Sequence, residues 1–196
     1  MNLGWKLAQV VRGTSPDALL DTYHAERHPI GARVQRNTRA AVALGTLDDR
    51  HDSLREILGE LLTLDEPSTR ISGEISGLDV HYDLGEGHPL LGWRMPDLDL
   101  QTSDGPTRVV ALLHDARPVL LDLGAGLVDE LGPWSERVRL VDATCDGPWA
   151  LPVVGEVPAA RAVLIRPDGH VAWAGDGAEP ALRTALATWF GVPVAA

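Results

Sequence analysis

The residue pattern changes abruptly at Gly77, and this change limits the folds open to the chain. Before it, apolar residues recur every three or four positions, the spacing of amphipathic helices. After it, glycine and proline become frequent, and short β-branched runs replace the helical stripes. The pattern therefore predicts a helical segment followed by an α/β domain. Its strands and closing helix are predicted at Pro118–Gly124, Arg137–Ala143, Arg161–Pro167, His170–Gly175 and Glu179–Phe190.

The N-terminal segment is predicted to hold several helices. The first carries the apolar residues Leu3 to Val11 and ends at Gly13, a suitable C-cap. Ser15 and Pro16 are typical of the next helix start, as N-cap and first helical residue. We expect Pro29 to interrupt that second helix. Two further helices are predicted from Pro29 to about Leu47 and from His51 to Leu64.

Shorter elements are predicted around the strands. Val80–Tyr82 suggests a short strand, Val109–Leu113 suits either strand or helix, and Leu127–Leu131 suggests a short helix. Pro167-Asp168-Gly169 is a turn sequence that predicts a β-hairpin. We therefore divide the chain into a helical segment (1–76), a connector (77–105) and an α/β domain (106–196).

The predicted order of strand, helix, strand, hairpin and closing helix is that of a thioredoxin-like domain. Thiol redox chemistry is nevertheless excluded. It requires a Cys-x-x-Cys at the helix start after the first strand, and Asp122–Leu127 reads DLGAGL. Cys145 is the single cysteine, so no intramolecular disulfide forms and a reducing cytoplasm is expected. We predict a thioredoxin-like domain without the redox cysteines.

Charge excludes two classes of partner. The formal net charge is −11, whereas binding to nucleic acid or to anionic lipid needs clustered Lys and Arg. The apolar stretch at the N-terminus is too short to span a bilayer. We therefore predict neither a nucleic-acid nor a membrane partner.

Other chemistry finds little support in the residue pattern. His24 and His28 lie four apart on a predicted helix, but no third metal ligand is evident. The glycines of residues 122–132 lack the spacing and the lysine of a phosphate loop. Paired carboxylates such as Asp48-Asp49 have no recognisable frame. We predict no metal site and no catalytic acid or base.

Several motifs together resemble one enzyme family. The N-terminal NLGWKLA is similar to the helix start that follows the second flavin motif of FAD-dependent aromatic hydroxylases. The remaining motifs resemble segments of the aromatic-polyketide members of this para-hydroxybenzoate-hydroxylase-like group, and they follow in the family's order. They are LDTYHAERHP at Leu20–Pro29, ISGLDV at Ile75–Val80, HPLLG at His88–Gly92 and RPDGHVAW at Arg166–Trp173.

The resemblance implies the C-terminal region of a flavin monooxygenase. It places Asn2 and Leu3 near the flavin ring with Trp5 close behind, and makes these the candidate cofactor-binding residues. Tyr23, Glu26 and Arg27 are not carried over as catalytic residues. We interpret them as a structural hydrogen-bonded cluster.

The family's GxGxxG turn, ribose-binding acid and substrate-covering sheet have no counterpart in this sequence. Without them the protein cannot hold and shield the cofactor. We therefore expect no cofactor on this chain alone, with FAD in full-length relatives, and no hydroxylation by the chain alone. A truncated gene product is one hypothesis for this.

The alternative is a stand-alone, non-enzymatic binding or assembly module. Its first helix would expose Leu3, Trp5, Leu7 and Val10, a patch suited to homodimerisation or to a missing flavin-domain partner. Bound flavin would favour the first function, and a specific protein partner without flavin the second.

Overall fold

The computed structural model describes residues 1–45, 48–127, 131–177 and 180–192. Four helices of the described residues precede the sheet. A four-residue helix and a C-terminal helix lie among and after the strands. The helices are α1 (Asn2–Val11), α2 (Ala18–Leu44), α3 (Asp49–Leu61), α4 (Asp65–Ser76), α5 (Val109–Leu112) and α6 (Pro180–Phe190).

The main sheet has six strands in the order β2-β1-β4-β3-β7-β8. Strands β3 and β4 are parallel, and all other neighbouring pairs are antiparallel. Strands β5 and β6 form a separate hairpin. The fold is thus mixed α/β, as predicted. The strands are β1 (Asp99–Thr102), β2 (Gly105–Arg108), β3 (Val119–Asp122), β4 (Arg139–Thr144), β5 (Ala150–Leu151), β6 (Gly155–Glu156), β7 (Ala162–Ile165) and β8 (Val171–Gly175).

The two central strands, β3 and β7, are buried along their whole length, because both faces of the sheet are covered. Alternate side chains enter opposite cores. Leu120 and Leu164 face α1 and α6, where Trp5, Leu186 and Phe190 pack. The other face packs on a core that includes Leu90, Leu100, Val109, Leu121 and Val163. The sheet therefore fixes α1 against α6 and the connector against the opposite side.

Most predicted strands lie within two residues of the observed ones. β3, β4, β7 and β8 confirm the four runs, and α6 confirms the closing helix. Val109–Leu113 forms the short helix α5, and Trp173 is buried in the core. Residues 128–130, the middle of the helix predicted at Leu127–Leu131, lie outside the described residues, as does Leu47, the predicted end of the helix expected to start at Pro29.

The interruption predicted at Pro29 is wrong, because α2 continues through this residue. Proline removes one hydrogen bond to the carbonyl of the residue four positions earlier, here Ala25. Both Pro29 and Ala25 are exposed, so water satisfies that carbonyl at little cost. The start predicted at Ser15 is also wrong: its hydroxyl donates to Gln9 Oε1 at 3.0 Å, and the helix begins at Ala18.

The strand predicted at Val80–Tyr82 is wrong too. This segment is irregular, and the Tyr82 amide donates to the Gly92 carbonyl instead of to a sheet neighbour. The β1–β2 hairpin was not predicted, although its strands extend the sheet within residues 99–108, partly inside the predicted connector. Pro106 lies on β2, and this is compatible with a strand because β2 is at the sheet edge.

The hairpin between β7 and β8 has a tight turn at residues 166–170. The Gly169 amide donates to the Arg166 carbonyl at 2.9 Å, and Gly169 has a φ of 82°. A left-handed residue closes a three-residue hairpin loop, and glycine takes that conformation without a side-chain penalty. The turn predicted at Pro167–Gly169 is confirmed. It brings two charged side chains, Arg166 and Asp168, into the interior.

Candidate functional site

Five ionisable side chains meet in the interior where α1, α2 and the β7–β8 turn converge. They are the ionic cluster: Lys6, Glu26, Arg166, Asp168 and His170, each less than 10% exposed. Burying charge is unfavourable unless each ion is paired and hydrogen-bonded, so the local arrangement decides what the cluster does.

Arg166 is the centre of this cluster. Its Nη1 and Nη2 donate to the two oxygens of Glu26 at 2.8 and 2.9 Å. Nη2 and Nε also donate to Asp168, at 2.6 and 3.1 Å. Lys6 Nζ adds an ion pair of 2.9 Å to Glu26. Two cations therefore balance two carboxylates, and the planar guanidinium provides the fork that suits two acids at once.

Aromatic rings enclose the Arg166 guanidinium. Its carbon lies 4.5 Å from the Trp189 ring centroid and 5.3 Å from those of Trp5 and Tyr82. Rings at these distances attract a cation and keep water away from it. The Tyr82 ring also lies against the His170 ring, with centroids 4.3 Å apart and the planes tilted by 32°. These aromatic contacts strengthen the ion pairs by lowering the local dielectric.

The cluster shifts the pKa values of its members. Burial alone would raise the pKa of Glu26, but hydrogen bonds from Arg166, Asn2 and Lys6 and the charge of Arg166 lower it below its ordinary value. Burial likewise opposes ionisation of Asp168, yet its contacts with His170 and Arg166 lower its pKa. Burial lowers the pKa of Lys6, against the opposing effect of Glu26. Both carboxylates are therefore ionised at neutral pH.

An open cleft of about 470 Å³ lies beside the ionic cluster, at the first turn of α1. Asn2 and Leu3 line it, so the structure brings two of the three candidate residues together. Trp5 lies one turn deeper, outside this cleft, with its Nε1 donating to Asp168 Oδ2 at 3.3 Å. The other lining residues are Met1, Tyr23, Arg27, Val80, Tyr82, Arg94, Asp168 and His170.

Asn2 and His170, beside the cleft, have buried polar atoms without a hydrogen-bond partner in the described part of the chain, although His170 Nδ1 lies 3.6 Å from Asp168 Oδ1. These atoms are Asn2 Oδ1 and both ring nitrogens of His170. Asn2 Nδ2, in contrast, donates to Glu26 Oε2 at 2.5 Å and to Asp168 Oδ2 at 3.0 Å. Asn2 is thus oriented by the ionic cluster, and its oxygen remains available to accept a hydrogen bond.

The predicted cluster of Tyr23, Glu26 and Arg27 is only partly present. Glu26 belongs to the ionic cluster, whereas Arg27 Nη1 donates to the Tyr82 hydroxyl at 3.4 Å and Tyr23 is exposed at the cleft. Sequence reasoning did not connect Glu26 with Lys6 or Arg166. One signal was available: Arg166 and Asp168 interrupt an otherwise apolar hairpin sequence, AVLIRPDGHVAW.

The predicted patch on α1 also needs correction. Leu3 and Leu7 are exposed, but Trp5 is buried and Val10 is half-buried. The cause is α6, because the Trp5 ring packs against Trp189, with centroids 6.3 Å apart.

His24, His28 and Cys145, considered above, do not line the cleft. The rings of His24 and His28 stack with centroids 4.9 Å apart. The described parts of the chain contain no group of three residues able to hold a metal ion. Cys145 is half-buried beside the core. In the same residues, no helix has the length and apolar character needed to cross a bilayer.

The loop after β3 is closed by its own carboxylate. Asp122 Oδ1 accepts from the amides of Gly124, Ala125 and Gly126 at 2.7–3.2 Å, and Oδ2 accepts from Leu127 at 2.6 Å. These hydrogen bonds lower the pKa of Asp122, although burial opposes them. The loop amides are therefore already bonded to Asp122 and are not free to bind a phosphate. This supports the interpretation of the loop as a structural turn.

Comparisons with known proteins identify the class to which this fold and cleft belong. Residues 88–193 match the family described as "Aromatic-ring hydroxylase, C-terminal", and residues 1–38 match "FAD binding domain". The first match covers more than half of the chain. The chain therefore belongs to the aromatic-ring hydroxylase family.

Individual relatives are similar over almost the whole chain. It is 46% identical to anhydrotetracycline monooxygenase of Streptomyces rimosus over 98% of this chain, and 40% identical to rifampicin monooxygenase of Streptomyces venezuelae over 99%. The solved OxyS anhydrotetracycline hydroxylase from S. rimosus superposes with a TM-score of 0.88 at 45% identity, covering 98% of this chain and 39% of that one. The chain spans 38% and 37% of the length of the first two relatives.

Proposed function

We propose that this chain is the C-terminal region of an FAD-dependent monooxygenase of the para-hydroxybenzoate-hydroxylase-like group, acting on aromatic polyketides. In this proposal α1 presents Asn2 and Leu3 to the flavin ring, and Trp5 supports them from behind. The observation that carries it is the cleft at the start of α1, in the segment that matches an FAD-binding domain. The remainder of the flavin and substrate sites comes from a part homologous to the rest of the relatives' length.

The residues at the cleft fit one edge of a flavin ring. Asn2 Oδ1 is an acceptor without a partner among the described residues. The first amides of α1 lack intrahelical acceptors, as at any helix start. A flavin ring edge offers one N–H donor between two carbonyl acceptors, so the two sets of groups are complementary. FAD would supply the oxygen-activating redox chemistry, and Asn2 and Leu3 would bind and orient its ring.

The phosphates of FAD find no comparable site. The Asp122 loop is occupied by its own carboxylate, and the 196 residues contain no GxGxxG motif. We therefore propose that the 196-residue chain by itself retains no flavin and hydroxylates nothing.

We further propose that the α/β domain is a thioredoxin-like domain without the redox cysteines. Strands β4, β3, β7 and β8 lie side by side in that order, with β3 and β4 parallel, and α6 packs on one face. This strand order supports the assignment as a thioredoxin-like domain. The division into a helical segment, a connector and this domain, and a location in the cytoplasm, remain part of the proposal.

Exposed apolar side chains indicate where the missing part binds. Helix α3 buries no residue, and its stripe leaves Leu54, Ile57 and Leu61 exposed, as are Leu3 and Leu7 on α1. Contiguous exposed apolar surface marks interaction sites. We propose that the flavin-binding part covers it. In a stand-alone assembly module, a second copy of the chain would cover it instead.

A fusion tests the proposal. The S. rimosus anhydrotetracycline monooxygenase, cut before the segment that matches this chain, is joined to Met1 of this chain. We expect the purified fusion to hold FAD through gel filtration and to convert anhydrotetracycline with NADPH. The matched controls are each half alone, and both should be inactive. A folded but colourless fusion, or hydroxylated product from the chain alone, would contradict the proposal; a stable dimer without flavin would favour the assembly module.

A further inference from the structure

The β7–β8 turn reaches across the molecule to the first turn of α1. Asp168 Oδ2 accepts hydrogen bonds from Asn2 Nδ2 at 3.0 Å and from Trp5 Nε1 at 3.3 Å, across 166 and 163 positions of sequence. The same oxygen accepts from Arg166 Nη2 at 2.6 Å. One carboxylate oxygen therefore joins the C-terminal domain to the two polar side chains of α1 that lie at or behind the cleft.

Asp168 is itself held rigidly. Arg166 binds both of its oxygens, and Glu26 and the Trp189 ring hold Arg166 from the other side. A side chain with two parallel hydrogen bonds in a closed turn has little rotational freedom left. The position of Asp168 Oδ2, to which α1 is hydrogen-bonded, is therefore fixed.

Helix α1 depends on this oxygen at its N-terminal end, whereas the amides of Arg12, Gly13 and Thr14 close its C-terminal end with backbone hydrogen bonds. It has no side-chain N-cap and no acidic residue in its first turn, and Trp5 and Lys6 are its buried residues. Without a cap, the first turn of a helix frays readily. The hydrogen bonds that Asn2 Nδ2 donates to Glu26 and Asp168 anchor the first turn through a side chain instead.

We propose that Arg166 and Asp168 are positioning residues for the flavin-facing end of α1. This inference rests on the proposed function, since it gives the C-terminal domain a role in the reaction: it sets the position of Asn2. The coupling runs from Arg166 through Asp168 to Asn2.

The first test uses hydrogen exchange on the chain alone, so it needs no flavin. Asp168→Asn puts an amide nitrogen against Arg166 and weakens the acceptor for Asn2 and Trp5. We expect the amides of residues 5–7, which bond to the carbonyls of the first turn of α1, to exchange about 10- to 100-fold faster, since losing a buried charged partner costs about 1–3 kcal/mol. Amides of α6 should not change.

The matched control is Asp79→Asn. Asp79 also binds an arginine through both oxygens, with Arg33 at 2.7 Å, but lies away from α1. It should leave the first turn of α1 unchanged. Asn2→Ala removes the link while keeping every buried ion, and should give the same local acceleration even if Asp168→Asn folds poorly. Equal acceleration in α1 and α6, or none in α1, would overturn the proposal.

The second test uses the fusion described above. Asp168→Asn should keep FAD bound, shift the flavin absorption bands and lower the hydroxylated product formed per NADPH about 10-fold; Asp79→Asn should do none of these. A misplaced reacting group accounts for a loss of this size. A wild-type fusion without flavin would count against the proposed function alone. An active fusion indifferent to Asp168→Asn, with unchanged exchange in α1, would refute the positioning role alone.

Discussion

Replacing Glu26 by glutamine should test how strongly the ionic cluster stabilises the fold. Glu26 is 7% exposed, and its two oxygens accept from Arg166, Lys6 and Asn2. Glu26→Gln leaves Lys6 and Arg166 with one carboxylate, Asp168, and thus one uncompensated charge in the interior. Breaking a buried ion pair in this way costs about 3–5 kcal/mol.

Urea unfolding followed by circular dichroism measures this cost. A typical urea dependence of about 2 kcal/mol per M converts it into a midpoint shift of about 1.5–2.5 M. Glu74→Gln is the control, because Glu74 pairs with two arginines whose side chains are mostly exposed. That control should lose less than about 1 kcal/mol. Adding Lys6→Met to Glu26→Gln removes the orphaned ammonium and should recover part of the loss.

The pH dependence of the same experiment provides a second check. The pKa of Glu26 is lowered on folding from its ordinary value of 4.5, so its stabilisation is fully present above that pH and is lost as pH falls toward the folded value. The difference between wild type and Glu26→Gln should therefore be largest near neutral pH and shrink below about pH 4. A Glu26→Gln midpoint within 0.3 M of wild type, or a pH-independent difference, would refute this account of the cluster.

Two further substitutions test contacts made by loops, at Asp122 and at Gly92. Asp122→Asn turns one of the two oxygens that accept from four loop amides into a donor and should cost about 1–3 kcal/mol, seen as a lower melting temperature. Asp104→Asn on the exposed β1–β2 turn should cost less than about 0.5 kcal/mol. Gly92→Ala should destabilise the fold by more than about 3 kcal/mol or prevent folding, because the new Cβ would lie 1.9 Å from the Tyr82 carbonyl oxygen. The control Gly85→Ala has a similar positive φ but open space around it, and it should lose about 1 kcal/mol. Equal effects within either pair would contradict the stated contacts.

The sequence predicts the central sheet well because each strand is specified locally. β7 is an apolar run of four residues and β3 is a run of three that ends at Asp122. Both are bounded by turn sequences, and the β7–β8 turn carries its own glycine. The same local reasoning failed at Pro29, where exposure decides whether a proline breaks a helix. It failed again at β1 and β2, because short half-exposed strands have no distinctive pattern and depend on pairing with β4.

The ionic cluster could not be predicted in the same way. Glu26 and Arg166 are 140 positions apart, and Lys6 and Glu26 belong to different helices, so no spacing rule connects them. The six tryptophans are scattered in sequence, yet Trp5 and Trp189 meet around Arg166. Only the presence of charge within an apolar hairpin hinted at a buried partner. The resemblance indicated Asn2 and Leu3, but not what orients them.

The C-terminal domain has two buried carboxylates, Asp122 and Asp168, that bind different parts of the molecule. In thiol-redox domains, the amides after the first strand stabilise a thiolate. Here Asp122 accepts from those amides, so this loop is closed to ligands and serves the domain itself. Asp168, in contrast, directs one oxygen outward to α1. The loop amides after β3 are thus already bonded to Asp122, and Asp168 in the β7–β8 turn offers a rigid acceptor. The domain is therefore suited to hold α1 in place, which is the role that the proposed flavin site requires.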